Sequence, residues 1–153
     1  MGFSIAEALS GLPFVREMKP DSIAKLAAAA KEVGFDKDQI LFREGDTSRQ
    51  FYIVLSGKVA LEITTLKGPY RLMTVEDGGE LGWSFLLRKG GRHFRARAVD
   101  RVRALVFDGP TLQKACEEDP AFGYHLTKRV LEVVSERLEA TRLHFLDLIR
   151  LEA

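Results

Sequence analysis

The sequence has 153 residues, of which 46% are hydrophobic and 29% charged, a composition typical of a globular domain and not of a disordered chain. Its net charge of +1 gives no overall attraction to nucleic acid or to acidic membranes. No apolar run reaches the ~18 residues of a membrane span, and no signal peptide is recognisable. The single cysteine, Cys116, cannot form an intramolecular disulfide, so we expect a cytoplasmic protein.

The pattern of the first 34 residues predicts N-terminal helices. Pro20 and Asp21 precede a helical arrangement of apolar residues that includes Ile23 and Leu26, and Asp21 is the expected N-cap. Gly34 is expected to end this helix because glycine is favoured just past a helix C-terminus.

Residues 35–108 show a different pattern, in which apolar residues recur in steps of two and predict short strands. Turn-forming residues separate these strands. Several short strands at this spacing favour an antiparallel β-barrel or jelly roll. The predicted fold class is therefore mainly β with flanking α-helices. The strands are expected at residues 40–42, 51–55, 59–63, 72–75 and 96–107, and the turns at residues 36–38, 44–46, 56–57 and 67–69.

Residues 109–153 return to a helical pattern. Pro110 suits the first turn of a short helix, and Asp119 with Pro120 favours the start of a longer helix. Along this helix, apolar residues are spaced alternately by three and four positions, as in a coiled-coil seam. We therefore expect a homodimer through this helix, within a single domain that spans residues 1–153. The seam comprises Leu131, Val134, Leu138, Phe145 and Leu148, with Thr141 as its polar member.

Two neighbouring segments carry a family resemblance. Residues 40–46 read ILFREGD and residues 51–59 read FYIVLSGKV. They resemble the Gly-Asp turn and the following Y-I-I-x-x-G-x-V strand of the cyclic-nucleotide-binding domain family. The resemblance covers nearly the whole chain. It implies a barrel with helices before it, and a hinge and a long helix after it.

In that family a phosphate-binding loop supplies the ligand contacts. An Arg pairs with the cyclic phosphate, a Glu that follows a Gly accepts from the ribose 2′-hydroxyl, and N–H groups of a short helix bind the phosphate. The resemblance implies that Gly82, Ser84 and Arg92 hold the equivalent positions in this chain. Trp83 stands where the Glu is expected, and His93 where the family prefers a small residue. Cyclic AMP or cyclic GMP is the implied ligand.

A second register remains open, because loops tolerate short insertions. In it, Gly79 and Glu80 occupy the Gly-Glu position, and a longer segment precedes Arg92. Glu80 would then supply the acceptor for the ribose.

The long helix carries a further resemblance. Residues 136–142 resemble the dimer helix of catabolite-activator-type regulators, in which a Thr reaches the adenine base, and Thr141 matches that Thr. Those regulators continue into a helix-turn-helix domain. None follows here, so we do not expect this chain alone to bind DNA.

Simpler interpretations of the same residues stay open. Arg92 belongs to a basic run and could be an ordinary solvated arginine, Trp83 could be a packed core aromatic, and Thr141 could fix the register of a coiled coil. The other members of the basic run are Arg88, Lys89, Arg95, Arg97, Arg101 and Arg103.

The sequence supports a sensor more than an enzyme. His93, His125 and His144 do not have the spacing of metal ligands, and no catalytic arrangement can be argued. We therefore expect a sensor domain that passes ligand binding through its C-terminal helix to an unknown protein partner. The alternative is a domain that binds no ligand and acts as a dimerisation or docking scaffold.

Overall fold

The computed structural model describes residues 4–86 and 91–152. Two residues of the basic run, Arg88 and Lys89, lie outside the described residues. Short 3-10 turns occur at Pro13–Val15 and Trp83–Leu86. The main elements are α1 (Ile5–Ser10), α2 (Pro20–Ala28), β1 (Ala30–Phe35), β2 (Ile40–Phe42), β3 (Gln50–Ser56), β4 (Val59–Thr65), β5 (Gly68–Val75), β6 (Glu80–Leu81), β7 (Arg95–Ala98), β8 (Val102–Asp108), α3 (Gly109–Glu118) and α4 (Pro120–Glu152).

The strands form two four-stranded sheets. One has the order β1-β8-β3-β6 and the other the order β2-β7-β4-β5. Every pairing is antiparallel. The prediction of an antiparallel jelly roll with helices before it and a long helix after it is therefore confirmed.

Strand β3 separates two parts of the hydrophobic core. Phe51 and Ile53 pack with the helices, whereas Tyr52 and Val54 pack in the second cluster with residues of both sheets. Successive side chains of a strand point to opposite faces, so both faces of β3 are covered. A strand that is buried on both faces needs apolar residues at successive positions, and β3 has them in its sequence FYIVL.

The boundary between helices and barrel lies earlier than predicted. Helix α2 ends at Ala28 and β1 begins at Ala30, so the expected division at residues 34 and 35 is wrong. Gly34 does not end a helix but pairs with Arg103 of β8. Six successive pairs join β1 to β8, and this non-local ladder outweighs the local signal of a helix-ending glycine.

The start of α2 also differs from the prediction. Lys19 is the N-cap and Pro20 begins the helix, so Asp21 lies in the first turn. There its carboxylate lies near the positive end of the helix dipole, which explains an acidic residue at this position without a capping hydrogen bond.

Helix α4 begins as the sequence predicts. Asp119 accepts a hydrogen bond from the backbone N–H of Phe122 at 3.2 Å, and Pro120 is the first helical residue. The early part of the helix is buried against the barrel through Leu126, Val130 and Val133. Farther along, α4 contacts β5, because the Tyr70 hydroxyl lies 2.6 Å from Nε2 of His144. The helix therefore extends over the second sheet.

Candidate ligand-binding cavity

A cavity of about 210 Å³ lies between the second sheet, residues 81–84 and 92–94, and α4. In the register that the sequence favours, Gly82 and Trp83 stand at the Gly-Glu position. The structure brings all residues of this favoured register to the cavity wall. Gly79 and Glu80, the residues of the second register, do not line it. The wall includes Gly82, Trp83, Ser84, Arg92 and His93 from the favoured register, and Thr141 from the long helix.

Gly82 allows the chain to pass close to Arg92. Its φ is +82°, and a Cβ built at this position would lie 2.6 Å from Arg92 Nη1 and 2.6 Å from the backbone oxygen of Gln50. Glycine is the residue that adopts this conformation without strain and leaves this space free. The loop geometry thus depends on Gly82.

The 3-10 turn after Gly82 is anchored by Phe85. This side chain is fully buried, and its ring lies 5.1 Å from that of Phe51. The anchor fixes the position of Ser84, whose hydroxyl oxygen accepts a hydrogen bond from Arg92 Nη1 at 3.2 Å. The turn therefore holds the Ser84 side chain against Arg92.

Arg92 is held from several sides. Its side chain donates to the backbone oxygen of Gln50 and lies over the ring of Phe42, with Cζ 4.4 Å from the ring centroid. Its backbone N–H donates to the oxygen of Asp46 at 2.9 Å, and its carbonyl accepts from the N–H of Gly45 at 2.8 Å. The Gly-Asp turn therefore clamps the backbone of Arg92, a contact that sequence reasoning did not anticipate.

The charge of Arg92 has no carboxylate partner among the described residues. The residue is only 5% exposed, and its Nε has no hydrogen-bond partner. Burial lowers the pKa of the Arg92 guanidinium from its usual range, while Tyr52 and Asp46 oppose this shift. A buried cation that is not paired costs free energy, which an anion in the cavity would offset.

The other arginines of the described basic run differ from Arg92 in this respect. Each forms an ion pair, so these side chains belong to the charged surface of the sheets and not to the cavity wall. The pairs are Arg95 and Arg97 with Glu62, Arg97 with Asp38, Arg101 with Asp36, and Arg103 with Glu32.

Helix α4 supplies the opposite wall of the cavity. Val134, Arg137, Leu138 and Thr141 line it, and the Thr141 hydroxyl donates to the backbone oxygen of Arg137 at 2.8 Å. Arg137 donates to the backbone oxygen of Glu80, and its Nη1 lies 3.8 Å from Met73 Sδ. Sequence reasoning missed Arg137, although its position one helical turn before Thr141 is a usable signal.

Residues 32–119 match the family model of the cyclic nucleotide-binding domain. The chain belongs to this family. It is 26% identical over 144 residues to the CRP-like cAMP-activated global transcriptional regulator of Mycobacterium tuberculosis, an alignment that covers 94% of this chain and 62% of that protein. The chain therefore spans about three fifths of the length of this relative.

Solved structures are similar to this cyclic nucleotide-binding domain over most of its length. The N-terminal domain of a transcriptional regulator from Streptomyces coelicolor has a TM-score of 0.71 and 26% identity, and the alignment covers 87% of this chain and 94% of that one. A cyclic nucleotide-binding domain from Methylobacillus flagellatus has a TM-score of 0.81 at 18% identity, with 94% and 82% covered. The second similarity supports the fold alone.

In this family member, Trp83 belongs to both the core and the cavity. The side chain is half-buried, packs against the core cluster that includes the helices, and lines the cavity. Its ring lies 6.4 Å from that of the exposed His93. Trp83 therefore packs as a core aromatic on one side, and its position at the cavity wall leaves a ligand contact as a prediction.

Glu80 lies in β6, where it pairs with Ile53 of β3. Its side chain is buried, and desolvation raises the pKa of the Glu80 carboxyl, while the charges of Arg137 and Arg129 oppose the shift. Glu80 is not among the residues that line the cavity, whereas its neighbour Leu81 is.

Most of the predicted seam is exposed along α4. Val134 differs, because it is half-buried, packs against the core and lines the cavity. Tyr124 and Ile149 are also exposed and continue the same helical face at seven- and four-residue spacing. We call the exposed set the apolar stripe. It comprises Tyr124, Leu131, Leu138, Phe145 and Ile149, while Leu148, 40% exposed, lies beside it.

In residues 4–86 and 91–152, no group of three or more His, Cys, Asp or Glu side chains is arranged to hold a metal ion. Over the same ranges, no helix has the length and hydropathy needed to cross a membrane.

Proposed function

We propose that this chain is a regulatory sensor domain that binds a small anionic ligand at Arg92 and signals through α4. The observation that carries the proposal is a buried guanidinium, 5% exposed, that faces a cavity and forms no ion pair with the described carboxylates. Ordinary structural arginines in the same segment are paired. An anion at Arg92 would complete the charge balance of the site.

Helix α4 is the element that would report ligand binding. It contributes Arg137, Leu138 and Thr141 to the cavity wall. It also presents the apolar stripe, and soluble monomers rarely expose a continuous apolar surface. Leu138 belongs to both surfaces. A ligand that contacts α4 would therefore alter the face through which we propose that the chain forms a homodimer or docks a protein partner in the cytoplasm.

Cyclic AMP and cyclic GMP are the first ligands to test, because a relative over most of this chain is a cAMP-activated regulator. Trp83 replaces the expected ribose acceptor, and no Asp or Glu lies among the described residues of the cavity wall. A hydrogen bond to a charged group contributes ~1.5–3 kcal/mol, so its loss weakens binding by roughly 10–150-fold. We expect a dissociation constant for cyclic AMP in the micromolar range or weaker.

Thermal shift assays and calorimetry test this function. Ligand at ~100 times its dissociation constant contributes ~2.7 kcal/mol, which should raise the Tm by roughly 5–10 °C. Arg92→Ala should abolish the shift, and Arg101→Ala, at an exposed ion pair, should retain it. If no cyclic nucleotide changes the Tm at millimolar concentration and calorimetry detects no heat of binding, cyclic nucleotides are excluded as the ligand, and the scaffold alternative replaces this proposal when no other small anion binds either.

A comparison of two nucleotides tests whether Trp83 occupies the position of the ribose-binding Glu. Cyclic AMP and 2′-deoxy cyclic AMP should bind the parent protein equally, within about threefold, because the described residues of the wall offer no carboxylate to the 2′-hydroxyl. Trp83→Glu should make the protein prefer cyclic AMP by roughly 10-fold or more. A strong preference for cyclic AMP in the parent protein would contradict the favoured register.

A further inference from the structure

We infer that the cavity binds a small organic anion whose body is apolar or aromatic in preference to a sugar phosphate. The inference rests on the ligand-binding function proposed above and specifies its ligand class. It follows from which chemical groups form the cavity wall, and from how those groups are already engaged.

The polar groups of the described wall suit an anion but not several sugar hydroxyls. Arg92 and Arg137 supply guanidinium groups and His93 an imidazole, and the described residues of the wall include no Asp, Glu, Asn or Gln. The remaining hydroxyls are partly engaged, since Ser84 accepts from Arg92 and Thr141 donates to the backbone of Arg137. A sugar that enters this space would leave hydroxyl donors without strong acceptors, which weakens binding.

Apart from His93 and Gly82, the other described residues of the wall are apolar. Contact with an apolar ligand removes this surface from water and stabilises the complex, whereas contact with a hydrated sugar stabilises it little. The Trp83 and Phe42 rings provide flat surfaces, and Phe42 already stacks against Arg92. These features match a ligand with an anionic group at Arg92 and an aromatic or aliphatic body. The apolar residues include Phe42, Leu61, Met73, Leu81, Phe94 and Leu138.

Arg137 is the second cation of the cavity and comes from α4. Its recorded partners are the backbone oxygen of Glu80 and the weak acceptor Sδ of Met73, and it forms no ion pair with a described carboxylate. Arg137 therefore adds positive charge and available donors on the helix side. We assign it a role in the preference for anions and in the contact between ligand and α4.

Trp83 provides a site-specific signal for the test, because it is the single tryptophan of the chain and lines the cavity. The probes are phenyl phosphate, ribose 5-phosphate and benzyl alcohol, which separate the anionic group from the apolar body. Titration of Trp83 fluorescence should give a dissociation constant for phenyl phosphate at least tenfold lower than for either other probe. Calorimetry should give the same order.

Variants of two helix arginines test the assigned role. Arg137→Gln should weaken the binding of phenyl phosphate about tenfold, since it removes a charged donor from the wall. Arg142→Gln is the matched control, because Arg142 is exposed, pairs with Glu139 and lies outside the wall. It should leave the affinity unchanged. Circular dichroism checks that both variants are folded.

The outcomes separate this inference from the proposed function. If ribose 5-phosphate binds as tightly as phenyl phosphate, the ligand class is wrong and the sensor function stands. If benzyl alcohol binds as tightly as phenyl phosphate, or Arg137→Gln binds phenyl phosphate like the parent, the anion preference assigned to the cavity is wrong. If none of these probes, cyclic AMP or cyclic GMP binds by fluorescence or calorimetry, the proposed function itself fails.

Discussion

At the scale of the residue, Gly82 and Arg92 depend on one another. The left-handed conformation at Gly82 leaves room for the guanidinium, while that guanidinium is held by Gln50, Ser84 and the ring of Phe42. The geometry that makes Arg92 available to a ligand is therefore produced by neighbours that a ligand need not touch.

The first prediction concerns the conformation of Gly82. Gly82→Ala should lower the free energy of unfolding by roughly 2–3 kcal/mol, because it adds backbone strain and a Cβ against Gln50. Gly45→Ala is the matched control: its φ is +79°, but a Cβ there meets nothing within 4 Å. It should cost only the strain, about 1 kcal/mol. Equal costs in urea unfolding would show that the close approach at Gly82 is unimportant.

At the scale of the element, α4 has two faces that differ in what they contact. The face that includes Val134, Arg137 and Thr141 covers the cavity, and the apolar stripe lies beside it. The stripe extends from Tyr124 to Ile149, which at 1.5 Å per residue is roughly 38 Å of helix. An apolar surface of that length is typical of a helix that pairs with a second helix.

The stripe predicts a dimer that specific charges should disrupt. Leu131→Glu with Phe145→Glu should convert dimers to monomers in sedimentation velocity, since the paired helices would bury four carboxylates. Both side chains lie outside the cavity wall, so cavity binding can be measured separately. Leu143→Glu is the control, because Leu143 is exposed on the opposite side of α4 and should leave the dimer intact. A parent protein that is monomeric at high micromolar concentration would contradict the prediction.

At the scale of the whole molecule, β6 joins the sheet, the loop and α4. Glu80 pairs with β3 through its backbone, accepts from Arg137 of α4 at its carbonyl, and carries a buried carboxyl. Its pKa is raised above the unfolded value by desolvation. The folded state therefore binds the carboxyl proton of Glu80 more tightly than the unfolded state does. The contribution of Glu80 to stability decreases as pH rises from the unfolded pKa through the folded pKa.

This sign predicts a pH-dependent effect of Glu80→Gln. Relative to the parent, the variant should gain stability as pH increases from about 4 to 7, because the parent must then ionise a buried carboxyl. Glu139→Gln should give the opposite and smaller trend, since hydrogen bonding to Arg142 lowers the pKa of exposed Glu139. Urea unfolding at several pH values measures both. A Glu80→Gln curve parallel to that of the parent would refute the assignment.

The sequence alone was sufficient for the fold class and for most elements. The strand pattern, the turns with Gly45 and Gly57, and the start of α4 at Pro120 are local signals, so they could be recognised without coordinates. The end of α2 could not be predicted, because the pairing of β1 with β8 joins residues about 70 positions apart and overrides the local preference of Gly34.

The candidate site was only partly predictable. Motif spacing identified Arg92, Gly82 and Thr141, and the structure places all three at one cavity. Motif spacing did not identify Arg137, because its position one helical turn before Thr141 is the one signal it carries and the docking of the helix is needed to place it at the cavity. It also left two positions open for the Gly-Glu pair, since the sequence contains both possibilities.

The sequence by itself determined which residues form alternating strands, which form turns and which cap helix α4, because these properties depend on neighbours a few positions apart. Tertiary structure alone decided that Glu80 is not among the residues that line the cavity and that Arg92 is buried without a carboxylate partner among the described residues. It also decided that the Gly45–Asp46 turn clamps the backbone of Arg92. These facts depend on segments far apart in the chain. The free energy of a buried charge depends on the charges and hydrogen-bonding groups that tertiary packing places beside it.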